Sequence, residues 1–197
     1  KSLPEPDRLM ALNAESMFAK AGYSDLGQVL TLLESYRNES SEPVWDMMAL
    51  VIGEVRRFVD LDTSLEKPLK EFCLKLAKSE IARLGWEEKS GESSADQKLR
   101  GLVLGLGLYA DDKKLTETAL AKFAAAKDEK EKLPAELRSL IMVTPIKLGD
   151  RKAFDYLLDL HDSTTNSDLK NDAADALTGT RSPEWASELL ARLKNAE

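Results

Sequence analysis

Three observations predict an all-α protein. Apolar residues recur every three or four positions almost throughout, the spacing of helices that bury one face. Only 10 glycines and 7 prolines occur in 197 residues, too few for the many tight turns of a β-rich domain. Several of these, such as Gly22, Pro43, Gly85, Pro134 and Gly149, fall where a helical run stops or starts. Hydrophobic residues make up 43%, enough for a core that needs no disulfide or metal staple. Charged residues make up 32%, above the usual ~25%, as expected of helices with solvated outer faces.

The first helix is predicted from near Asp7 to Gly22, a glycine stop. Ser24 is placed to cap the second, which carries Leu26, Val29, Leu30 and Leu33 and frays by Asn38. Ser41-Glu42-Pro43 opens the third, with proline in the first turn, where its missing N–H costs little. Trp45, Met48, Ala49, Ile52 and Val55 form its apolar stripe. Thr63-Ser64-Leu65-Glu66 reads as a capping box before a helix bearing Leu69, Phe72, Leu76 and Ile81, which stops at Gly85. From Trp86 to Ser94 the chain is polar, as an exposed loop would be.

The second half is more regular. Leu99, Leu102, Val103 and Leu106 line one helix; after the Asp111-Asp112 turn, Leu115, Ala119, Leu120, Phe123 and Ala124 line the next. Lys127 to Leu133 is a charged linker. Pro134 starts a helix with Leu137, Leu140, Ile141 and Leu148, in which Pro145 is expected to cause a kink or a split. Gly149-Asp150 ends it, and a helix with Phe154, Leu157, Leu158 and His161 follows. Two more are expected, Asp168 to Leu177, then Ser182-Pro183-Glu184 leading to Trp185, Leu189, Leu190 and Leu193. The helix–Asp–helix turn at Asp111 recurs 39 residues on at Asp150. Stacked helix-pair repeats have periods of ~40. The expectation is therefore a single helical-repeat domain over residues 1–197: about ten helices in stacked antiparallel pairs, an armadillo/HEAT-like curved superhelix. The absence of an initial methionine and the early first helix read as a cut in a longer protein.

A formal net charge of −7, with no dense Lys/Arg run beyond Arg56-Arg57, argues against nucleic acid and anionic lipid as partners. No stretch reaches the ~18–20 apolar residues of a membrane span; the longest, Leu99 to Ala110, is broken by Arg100. Leu3-Pro4-Glu5-Pro6-Asp7 is unlike a signal peptide. The lone Cys73 suits a reducing compartment, and the expected location is cytoplasmic.

Metal-assisted hydrolysis needs at least three converging protein ligands, usually with two histidines on one helix face. The chain has one histidine and one cysteine, and H-E-x-x-H is absent. No catalytic residue and no metal ligand is therefore assigned. His161 falls at helical spacing from Phe154, Leu157 and Leu158, near a helix C-terminus, where a partly buried imidazole is easily satisfied. Cys73, between Phe72 and Leu74, reads as a small hydrophobic residue. Gly101, Gly105 and Gly107 complete no phosphate-binding motif and read as helix interior. The runs Asp128-Glu129-Lys130-Glu131-Lys132 and Glu87-Glu88-Lys89 read as solvated. Trp45 and Trp185 lie on apolar faces; Trp86, just after Gly85, packs back on the helix end or meets a partner.

Several short runs, taken in order, resemble the C-terminal domain of the aminopeptidase N family of zinc metallopeptidases. Asp7-Arg8-Leu9 and Ala19-Lys20-Ala21-Gly22 are similar to that domain's first helix. Ser41-Glu42-Pro43-Val44-Trp45, Leu84-Gly85-Trp86, the pairs Leu99-Arg100 and Leu137-Arg138, Gly149-Asp150 and Asp172-Ala173-Ala174-Asp175-Ala176-Leu177 follow at matching spacing. The resemblance implies that zinc and the amine-recognition motif lie upstream, in a thermolysin-like domain. This domain would then be a bowl that closes over the active site and contacts the distal end of the peptide. The expected partners are thus the upstream catalytic domain and the peptide substrate, with zinc in the parent enzyme and none in this piece, which should be inactive alone. Arginines of the domain face the cavity in some relatives, which makes Arg100 and Arg138 candidates; the substrate-binding residues are otherwise unassigned. The alternative is a stand-alone helical-repeat scaffold that binds a protein on its concave face.

Overall fold

A computed structural model describes residues 3–59, 63–128 and 132–194, leaving aside the side chains of Phe58, Thr63 and Lys194. Among the described residues there are ten α-helices and no strand. They are α1 (Glu5–Lys20), α2 (Leu26–Ser35), α3 (Glu42–Val59), α4 (Glu66–Leu84), α5 (Ser94–Tyr109), α6 (Lys113–Lys127), α7 (Ala135–Lys147), α8 (Arg151–Ser163), α9 (Ser167–Thr178) and α10 (Pro183–Lys194). None is long and apolar enough to cross a membrane. The chain divides into two compact units, 1–112 and 113–197.

In the first unit α1 packs on α2 and α3, and α5 on α3 and α4. The core is the set of inward stripes the spacing marks out, with Leu12, Leu33, Trp45, Met48, Ile52, Leu99 and Val103 all but fully buried. Trp45 also satisfies its indole N–H, which donates to the Glu39 carbonyl at 2.8 Å. In the second unit α7 and α8 both pack on α9, and α6 on α7. Leu137, Ile141, Phe154, Leu157 and Ala173 fill its centre.

Three turns close alike. Tyr23 N–H donates to Phe18 O (2.8 Å), Asp112 to Gly107 (3.1 Å) and Asp150 to Pro145 (3.0 Å), each reaching back five residues past a left-handed residue. Those residues are Gly22 (φ 75°), Asp111 (φ 57°) and Gly149 (φ 80°). The structural equivalent of Asp111 is thus Gly149 rather than Asp150, and the repeat is 38 residues, not 39.

Other details differ from expectation. Asp25, not Ser24, caps α2: its carboxylate accepts the Gly27 N–H at 2.5 Å, a stronger match to the positive helix end than a hydroxyl. A Cβ at position 27 would meet Asp25 Oδ1 at 2.8 Å, so a larger residue there would push the capping carboxylate aside. A 3-10 turn, Thr63–Leu65, leads into α4, whose cap position is held by Leu65 without a side-chain hydrogen bond. The Thr63 hydroxyl of the expected capping box lies outside the described residues, as do residues 129–131 of the charged linker. Pro145 does not split its helix; α7 runs on to Lys147. In the last turn the missing N–H removes only one ladder bond. Leu148, Leu190 and Leu193, read as inward, are 59%, 59% and 70% exposed, since spacing marks an apolar face but not whether it has a partner.

Candidate functional site

The two candidate arginines are both engaged. Arg100 lies two turns into α5, whose first turn is capped by Ser93 accepting the Asp96 N–H at 3.1 Å. Its side chain is only 4% exposed; one guanidinium nitrogen donates to both Glu92 carboxylate oxygens and, at 3.2 Å, to the Glu87 carbonyl. Arg100 holds Glu92 below the usual carboxylate range through that hydrogen bond. Nearby, Arg83 bonds Glu80 and Asp96, each at 2.6 Å, and depresses the Asp96 carboxyl. Gln97 reaches Glu88 at 2.5 Å. The polar stretch after Gly85 is therefore strapped to α4 and α5 instead of being free in solvent, and Trp86 within it is half-buried. Arg138, on α7, donates to Asp172 of α9 at 2.5 Å. Neither guanidinium is a spare cation for a peptide carboxylate.

His161 stands on the rim of a groove of about 460 Å³ among α8, α9 and α10, floored by Leu158, Ala174, Leu177 and Leu189. Its Nδ1 lies 3.0 Å from Asp162 Oδ1, and Arg192 of α10 donates to the other Asp162 oxygen at 2.8 Å. The imidazole, then Arg192, keep Asp162 below its ordinary value. The hydroxyl among the lining residues, Thr178, donates to the Asp175 carbonyl at 2.8 Å, away from the imidazole.

Cys73 is fully buried, and burial pushes its thiol up to about 12, the opposite of a reactive thiolate. Gly101, Gly105 and Gly107 all lie inside α5 and form no phosphate loop. Among the described residues, no group of three or more His, Cys, Asp or Glu side chains is placed to hold a metal ion. Zinc does not fit the donors among the described residues: the lone thiol is buried in the core and the lone imidazole is engaged by Asp162.

Sequence reasoning missed the main polar hub of the first unit, Glu39. Nine per cent exposed, it is ion-paired with Arg8 of α1, whose Nε lies 2.6 Å away and whose Nη2 donates to it at 3.2 Å, and it accepts the N–H groups of Ser40 and Ser41 at 2.9 and 2.8 Å. With its carbonyl taking the Trp45 indole, it joins the first-helix Arg8 to the Ser41–Trp45 segment, two of the runs that carry the resemblance. The readable signal was their co-occurrence; the partner was not readable, because 31 residues separate Arg8 from Glu39.

Comparisons with known proteins identify the family. The model of the ERAP1-like C-terminal domain matches residues 1–197. Aminopeptidase N of Lactococcus lactis subsp. cremoris is 30% identical over 198 residues, which cover 100% of this chain and 23% of that protein. Aminopeptidase N of Lactobacillus helveticus is 27% identical over 97% of this chain and 23% of its own length. Aminopeptidase 2 of Candida albicans is 27% identical over 83% and 18%. The chain thus spans less than a quarter of these relatives, at their C-terminal end. It belongs to the ERAP1-like C-terminal domain family.

Proposed function

We propose that residues 1–197 act as the non-catalytic C-terminal domain of a zinc-dependent aminopeptidase, closing over an active site carried by the preceding polypeptide and contacting the peptide substrate. The observation that carries this reading is the coverage: the whole chain aligns with 23% of aminopeptidase N relatives. The donor chemistry supports it. Zinc hydrolysis needs three protein ligands and an open position, whereas one histidine and one cysteine are available. The full-length family match supports treating 1–197 as one functional domain. The deeply buried, lone Cys73 suits a reducing compartment, the cytoplasm.

The test compares the 197-residue chain with the polypeptide that includes the upstream sequence. The chain alone should neither hydrolyse leucine p-nitroanilide nor carry stoichiometric zinc; the longer polypeptide should do both, and its gene should encode H-E-x-x-H several hundred residues upstream. Zinc held tightly by the side chains of 1–197, or hydrolysis by them alone, overturns the assignment.

A further inference from the structure

Resting on that reading, we infer that the outward face of α1 is where the preceding polypeptide docks, through an apolar surface of its own. Eleven large apolar side chains are exposed among the described residues, and six of them fall between positions 3 and 26. On α1, Met10, Met17 and Phe18 are 67%, 58% and 53% exposed, and Tyr23, just past the helix, is 84% exposed. Met10, Met17 and Phe18 share one side of the helix with Ala14, while Leu12 and Ser16 on the other side are buried against the unit's core. A contiguous apolar stripe opposite a packed core face marks an interface. Methionines suit it, because their flexible thioethers adapt to an irregular partner.

The occupant follows from position and charge. The relatives are more than four times longer and the match lies at their C-terminal end, so the polypeptide outside this chain joins it at α1. A lipid surface is disfavoured by the acidic neighbours Glu5, Asp7 and Glu15, which anionic headgroups would repel. The stripe itself contains no charge.

The five methionines provide the experiment, carried out on the full-length polypeptide. Met48 and Met142 are 0% and 5% exposed and serve as buried standards. Under mild peroxide, with each methionine followed by mass spectrometry, Met10 and Met17 should oxidise within about twofold of those standards over a hundredfold dilution. Phe18→Asp should speed oxidation of Met10 and Met17 by about fivefold or more, while Met48 and Met142 stay protected and so report an intact core. Oxidation of Met10 and Met17 more than about tenfold faster than the standards in the wild-type polypeptide overturns the proposal. Protection that is lost on dilution overturns it too, in favour of a second copy as the occupant. The leucine anilide assay on the same sample separates the two readings: an active enzyme with an oxidisable stripe sinks the docking face alone. A protected stripe on a zinc-free, inactive polypeptide sinks the aminopeptidase reading alone.

Discussion

The two units are built from the same kind of helix but are held by different chemistry. Residues 1–112 carry 20 acidic against 14 basic side chains, residues 113–197 only 15 against 14. In the first unit charge goes inside: Glu39, Glu80 and Arg100 are all buried and clamp the α1–α3 and α4–α5 connections. In the second, Thr144 is the buried polar residue among those described, and rings do more of the joining. Phe154 lies 4.8 Å from Trp185, and Phe123 meets Tyr156 edge-on at 5.9 Å. Burying charge ties geometry to protonation, while ring packing is indifferent to pH. The first unit should therefore be the pH-sensitive one.

The largest expected effects come from the central ring of each unit. Trp45→Ala should cost about 5 kcal/mol, because it opens a cavity at a fully buried site and leaves the Glu39 carbonyl without its donor. Phe154→Ala should cost about 3 to 4 kcal/mol, a cavity without an orphaned polar group. Denaturant melts, with hydrogen exchange read in α1–α5 for the first variant and α6–α10 for the second, check the order. A larger loss for Phe154→Ala would remove the polar contribution from the comparison.

Acid should separate the units next. In the first, Lys75, Lys20, Arg100 and Arg83 depress Glu34, Glu54, Glu92 and Asp96 through hydrogen bonds; among the described residues of the second, Asp162 is the depressed group, held by His161 and Arg192. A depressed carboxyl contributes stability that is present above its unfolded value, 4.5 for Glu and 3.8 for Asp, and lost as pH falls below it. Alkali acts on the same unit. Burial raises Tyr36 and Tyr109 above 10.0 and Cys73 from 9.0 to about 12, so their contribution is present below those unfolded values and is lost as pH rises past them. Amide NMR signals of α1–α5 and α6–α10, followed across pH in the unsubstituted chain, should show the first unit unfolding first at both ends, by roughly half a pH unit in acid. Coincident titrations would mean that these pairs, most of them at least partly exposed, contribute nothing measurable.

The contrast also separates what was readable in the sequence from what was not. The inward stripe of α3 and the stops at Gly22, Gly85 and Gly149 are local: 3.6-residue periodicity and left-handed φ are properties of a few consecutive residues. The pairs Arg8–Glu39 and Arg138–Asp172, 31 and 34 residues apart, depend on which helices meet, and no local rule supplies that. The same gap placed Leu190 and Leu193 inside. Counting histidines and cysteines needs no geometry, so the shortage of zinc donors was readable directly. No substrate-binding residue was readable, because spacing along one helix does not say which face meets a partner.

The smallest effect concerns the repeated turn. At Gly149 (φ 80°) an added Cβ meets nothing within 4 Å, so Gly149→Ala isolates backbone strain and should cost about 1 kcal/mol. Asp111 occupies the equivalent position in the first unit at φ 57° and carries an ion pair with Lys70 at 2.7 Å. Asp111→Gly relieves the strain, but it gives up an exposed pair worth at most about 0.5 kcal/mol and loosens the unfolded chain, so the net change should stay within about 0.5 kcal/mol of zero. Asp111→Asn keeps a residue that tolerates the left-handed region and removes only the charge, so its thermal shift reads the Lys70 pair directly. If Asp111→Asn costs more than Gly149→Ala, the first unit relies on charge even at its turns.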